Sequence, residues 1–90
     1  MNKGIKNTLL ANVKSIKQSY GEVSKGRYQM EFGMLGTYVI EFKFLVISDQ
    51  EQAEYKLYKN DEIVFWIMHE QYEATACFIE YIENSERLYK

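Results

Sequence analysis

Six consecutive apolar residues, Ile63-Val64-Phe65-Trp66-Ile67-Met68, form the longest uninterrupted hydrophobic run in the chain. The run is far too short to cross a bilayer, which takes about 20 residues as a helix. It has the length of a strand and the β-branched and aromatic composition of one. A strand that is apolar at every position is apolar on both faces, so both faces need cover. That requirement constrains the fold more than any other segment does.

The preceding segment supplies a partner. Residues 53–69 read as a hairpin turned at Asn60-Asp61, two residue types that tolerate the left-handed backbone such a turn needs. A straight register pairs Leu57 with Val64, Tyr55 with Trp66 and places Ala53 near Met68. It predicts a core face of Ala53, Tyr55, Leu57, Val64, Trp66 and Met68. On the opposite face Glu54, Lys56 and Tyr58 stand beside Ile63, Phe65 and Ile67.

Residues 27–47 read as an earlier hairpin. Tyr28, Met30 and Phe32 alternate with Arg27, Gln29 and Glu31, and Tyr38, Ile40, Phe42, Phe44 and Val46 alternate with Thr37, Val39, Glu41 and Lys43. A two-residue loop would set apolar residues against the polar face of the other strand, which the period of two penalises. A three-residue loop, Met34-Leu35-Gly36, pairs Phe32 with Tyr38, Met30 with Ile40 and Tyr28 with Phe42, and it predicts positive φ at Gly36. The segment most like a linker is Ser48–Gln52.

Helices flank the hairpins. Ile5, Leu9, Val13, Ile16 and Tyr20 fall on one stripe, predicting a helix over 4–20 that Gly21 stops. Lys3, Lys6, Lys14 and Lys17 fall on a separate arc of that helix, with Leu10 among them. Residues 70–88 read as a second helix with Tyr72, Ala76, Phe78, Ile79 and Ile82 inward. Glu70 and Glu73 suit its start, and Arg87 and Lys90 its end. The expected fold is therefore α+β: one domain over residues 1–90, in the order α-β-β-β-β-α. It has two layers, a four-stranded antiparallel sheet with the helices packed on one face. If the strands follow as a meander, the apolar strand lies at an edge, where a flat strand invites association.

Chemistry is sparse. Residues 1–47 carry a net charge of +4 and residues 48–90 carry −6. The single cysteine, Cys77, has no disulfide partner in the chain and reads as a small buried helix residue. The single histidine, His69, could share a metal with Glu73 one turn on, but no second histidine completes a zinc pair. It reads as a histidine at a helix start bonded to a carboxylate. Glu31 and Glu41 are not opposite each other and look solvated, unlike an acid–base pair. The five glycines form no phosphate loop or dinucleotide fingerprint. No enzyme activity, cofactor or metal is expected. No apolar stretch precedes a small-residue cleavage site near residue 1, so a cytoplasmic location is expected.

What is left is a surplus of apolar surface. Leu45, Ile47, Tyr58, Ile63, Phe65 and Ile67 are expected to form one patch on the outer sheet face, marking an interface. The expected function is a non-enzymatic protein-interaction module, a small inhibitor or adaptor of the kind a phage or mobile element encodes, self-associating through the 63–68 region. Asp49, Glu51, Glu54, Asp61, Glu62, Glu73, Glu80 and Glu83 would face a basic partner such as a nucleic-acid-binding enzyme. Two alternatives stand beside it. Lys3, Lys6, Lys14 and Lys17 could contact phosphates of a nucleic acid. A small ligand could sit in a pocket lined by Tyr28, Tyr55 and Trp66.

Overall fold

A computed structural model of the chain describes residues 3–19, 25–86 and 88. Helix α1 spans Lys3–Gln18, strand β1 Lys25–Glu31, β2 Thr37–Ile47, β3 Gln50–Lys59, β4 Glu62–Glu70, and helix α2 Gln71–Asn84. The four strands form one antiparallel sheet in the order β1-β2-β3-β4, and the helices pack on it. The α+β order read from the periodicity holds, with β4 at an edge. Tyr20 and Gly21 lie outside the described residues, as do Arg87 and Lys90.

Three turns set the register. Between β1 and β2 the loop is Gly33-Met34-Leu35, a single 3₁₀ turn closed by the Phe32 N–H donating to the Gly36 carbonyl at 2.9 Å. Met30 therefore pairs with Tyr38 and Tyr28 with Ile40, two residues away from the expected register. A shift of two preserves the faces, so the apolar residues still point inward. Two features favour the observed register. Gly33 and Gly36 both take positive φ, at 60° and 113°. Gly26 falls opposite Phe42, whose ring lies where a side chain at that position would be: a Cβ on Gly26 would meet it at 2.6 Å.

Ser48–Gln52 is no linker. Ser48 and Asp49 (φ 51° and 64°) make a two-residue turn, and Gln50 already belongs to β3. Asn60 and Asp61 (φ 51° and 67°) make the second such turn, as expected. Positive φ at both central residues gives the twist that matches two right-handed strands. Asn60 also ties the turn to β2, its N–H donating to the Thr37 carbonyl at 2.8 Å and its Oδ1 accepting from the Thr37 N–H at 2.9 Å.

The core lies between sheet and helices. Ile5, Leu9, Val13 and Ile16 of α1 meet Tyr38, Ile40, Phe42, Phe44, Ala53, Tyr55 and Leu57 of the sheet. From α2 come Ala74, Phe78 and Ile82, so its inward stripe is rotated from the expected one. Tyr72 and Ala76 point to solvent, and Cys77 is exposed rather than buried. A polar contact accounts for the rotation: buried Thr75 donates to the Gln71 carbonyl and meets the Tyr55 hydroxyl at 2.9 Å. Hydropathy alone does not register such a pair. The Tyr38 hydroxyl donates to the Leu88 carbonyl at 2.6 Å, anchoring the chain beyond α2 to the sheet.

Candidate functional site

The straight register of β3 and β4 runs only as far as Tyr58 paired with Ile63. Beyond it Leu57 pairs with Phe65, Lys56 with Trp66, Tyr55 with Ile67 and Ala53 with His69. One extra residue, Val64, has been accommodated as a β-bulge. Because side chains alternate with a period of two, one inserted residue exchanges the faces of everything after it. Phe65 and Ile67, expected outside, turn toward the core. Phe65 stacks on Phe78 at 5.2 Å between ring centroids and packs on Tyr81 at 4.6 Å. Trp66 and Met68, expected in the core, stand on the outer face, 59% and 49% exposed.

The bulge is stabilised from the helix. A bulge takes backbone groups out of the ladder, and the Tyr81 hydroxyl donates to the Val64 carbonyl at 2.9 Å. Phe78 and Tyr81 of α2 thus prefer Phe65 inward and satisfy the irregularity that puts it there. The signal in the sequence is a strand with no polar face to specify its register, next to a helix carrying two aromatics one turn apart.

The expected apolar patch is therefore divided. Phe65 and Ile67 leave it for the core side. Tyr58 and Ile63 lie beside the Asn60-Asp61 turn, whereas Leu45 and Ile47 lie at the Ser48-Asp49 turn. Along β3 the six steps from Gln52 and the eight from Gln50 to Tyr58 separate them by about 20–27 Å at ~3.4 Å per residue. The outer face that remains at β4 is a column of Ile63, Trp66 and Met68. The Trp66 Nε1–H donates to Glu54 Oε2 at 2.9 Å. Farther in, Arg27 and Glu41 approach at 3.7 Å. The Tyr58 hydroxyl bonds to Glu41, which raises its pKa, with burial and the Glu41 charge adding to the effect. Charged and hydrogen-bonded groups thus occupy the middle of the face, and the apolar residues line its β4 margin.

That margin also carries unpaired backbone. Residues flanking a two-residue turn exchange both hydrogen bonds, and such pairs recur at every second position. Ile47 and Gln50 flank one turn, so Gln52, Glu54, Lys56 and Tyr58 aim their backbone at β2. Lys59 and Glu62 flank the other, so Tyr55 and Ala53 aim at β4, where Ile67 and His69 face them. Trp66, Met68 and Glu70 consequently direct N–H and C=O away from the sheet. The Glu70 N–H is already satisfied by His69 Nδ1 at 2.8 Å. The same Nδ1 lies 3.0 Å from Glu73 Oε2. One nitrogen cannot accept and donate at once, so the amide bond and the carboxylate contact are alternatives set by whether Nδ1 carries a proton. Glu70 in turn caps α2, its carboxylate accepting from the Tyr72 and Glu73 N–H groups. Beyond the bulge, Trp66 and Met68 hold the open edge, with Ile63 facing outward before it.

The other expected sites disperse. Asp49 and Glu51 sit at one end of the sheet, Asp61 and Glu62 at the other, Glu54 on the outer face, and Glu73, Glu80 and Glu83 on α2. They do not converge on one acidic surface. Lys3, Lys6, Lys14 and Lys17 run along one flank of α1, and none makes an ion pair among the described residues. Lys17 Nζ lies 5.2 Å above the Tyr72 ring. Glu31 pairs with Thr37 and Glu41 with Arg27, so the two carboxylates stay apart. No group of three potential metal ligands occurs among the described residues. Tyr28, Tyr55 and Trp66 cannot line one pocket, because Tyr55 is in the core and Trp66 is on the opposite face. An open depression of about 400 Å³ lies instead on α2, lined by Cys77, Glu80, Tyr81, Asn84 and Ser85. No described helix is long and apolar enough to cross a membrane. No family model, curated protein or solved structure matches the chain.

Proposed function

We propose that the protein is a non-enzymatic interaction module, an inhibitor or adaptor that works by binding another polypeptide along the β4 margin of its sheet. One observation carries the reading: open backbone groups and exposed apolar side chains coincide at Trp66 and Met68. An added strand takes its affinity from main-chain hydrogen bonds and its specificity from alternate side chains, and this margin offers both. Exposed edges are ordinarily blunted by proline, charge or cover. Glu70 and Val64 are blunted here by His69 and Tyr81, while the stretch between them is left open.

Site-specific photo-crosslinking from Ile63 in the native host tests this. A discrete product that disappears when Met68→Pro is introduced supports the reading. Crosslinks insensitive to that change, or none, refute it. The lysine flank of α1 supports a second reading, nucleic-acid binding. It requires binding that weakens steeply with salt and is lost on charge reversal of Lys6, Lys14 and Lys17 together.

A further inference from the structure

We infer that the open edge of β4 pairs with a second copy of itself, antiparallel, about a two-fold axis through Ile67. The inference rests on β4 as the contact margin and adds its occupant and its register. In an antiparallel pair, residues with outward backbone groups must face each other to exchange hydrogen bonds. Shifts of one residue would set outer side chains against inner ones, so only even shifts remain.

Centring the axis on Trp66 places Glu62 of each copy opposite Glu70 of the other, a like-charge pair. It also sets Met68 against the bulged Val64, whose carbonyl Tyr81 already occupies. Centring on Met68 sets Trp66 against Glu70, whose N–H His69 already occupies. Centring on Ile67 sets Trp66 opposite Met68 of the second copy, and the symmetry repeats the pair. Both residues have open groups, so Trp66 and Met68 make every bond available to them.

Side chains agree with that register. On the outer face each Trp66 ring meets the second copy's Met68 thioether, a favourable sulfur–aromatic contact. At the axis the two half-buried Ile67 side chains meet on the inner face. The contact is isologous and closes on itself, joining two four-stranded sheets into one. Two short edges bury less than a standard interface of about 1,600 Å², so the dimer is weak and concentration-dependent.

Sedimentation equilibrium from about 10 µM to about 1 mM tests the state, the range where small interfaces dissociate. The apparent mass is expected to rise toward twice the monomer. Met68→Pro removes only an outward N–H, a position where an edge strand tolerates proline, and is expected to remain monomeric with its fold intact. Register is tested by oxidation in a Cys77→Ser background. A mixture of the Trp66→Cys and Met68→Cys proteins is expected to form a mixed disulfide, while Trp66→Cys alone forms none. This keeps the test valid if the proline variant does not fold. Wild type that stays monomeric throughout, or efficient cross-linking of Trp66→Cys to itself, overturns the inference. A monomer that still captures a different protein from Ile63 refutes the second copy alone. A monomer that captures nothing refutes the margin as well.

Discussion

The bulge at Val64 makes two alanine substitutions trade places. In a straight hairpin Trp66 would be a core residue opposite Tyr55, and replacing it would cost about 3–5 kcal/mol, the usual range for a buried large aromatic. Phe65 would be on the surface and cost under ~1 kcal/mol. The observed register reverses the order. Phe65 is half-buried and contacts Phe78 and Tyr81. Phe65→Ala is therefore expected at the low end of the core range, about 3 kcal/mol, aromatic contacts worth about 0.5–1.5 kcal/mol each included. Trp66 is 59% exposed, and its bond to Glu54 is solvated. Trp66→Ala is expected to cost about 0.5–1 kcal/mol. For a domain of this size about 4–8 °C of Tm accompanies each kcal/mol, so Phe65→Ala melts roughly 12–24 °C lower and Trp66→Ala roughly 2–8 °C lower. Urea titration followed by far-UV circular dichroism measures both without relying on the tryptophan. It should be run at dilute protein, where self-association contributes least. If Trp66→Ala proves the more damaging change, the bulge is misplaced and the reasoning about the β4 margin falls with it.

Other expectations follow from the same contacts. Tyr81→Phe leaves the Val64 carbonyl without its donor and is expected to cost about 1 kcal/mol in urea titrations; an unchanged midpoint would mean that water substitutes fully. Tyr55→Phe and Thr75→Val should couple in a double-mutant cycle by about 0.5–1.5 kcal/mol, and additive costs would show the hydroxyls to be independent. Burial raises the Tyr55 pKa against the smaller opposing effect of its Thr75 bond. The folded pKa then exceeds the unfolded value near 10, so the contribution of this group is intact below about pH 10 and declines as pH rises further. Alkaline titration of Tyr55→Phe should show a shallower loss, and an identical slope would refute the assignment. Asp61→Gly keeps the Asn60 bonds while relieving a non-glycine residue at φ 67°, and should stabilise by about 0.5–1 kcal/mol in thermal melts.

Element order was legible because each element carries its own period. Tyr28 to Val46 alternate with a period of two, and Ile5, Leu9, Val13 and Ile16 repeat with the helical period. Both patterns survive small errors of register: the β1–β2 loop moved by one residue, its register by two, and every side chain kept its face. The α2 stripe is less legible, since Thr75 is buried for its bond to Tyr55 while the more apolar Tyr72 is left outside. At β4 the pattern is silent. Six apolar residues in succession look the same from either face, so no period records which face is inward.

The sequence by itself determined the strands and helices and the two-residue turn at Asn60-Asp61, and it left the edge position of its most apolar strand conditional on a meander that the sheet order then supplied. Only tertiary packing decided which side of that strand meets the core. Phe78 and Tyr81, more than ten residues away, take Phe65 between them and hold the Val64 carbonyl. A single inserted residue then exchanges the faces, because alternation along a strand is strictly two-fold and cannot absorb an odd step.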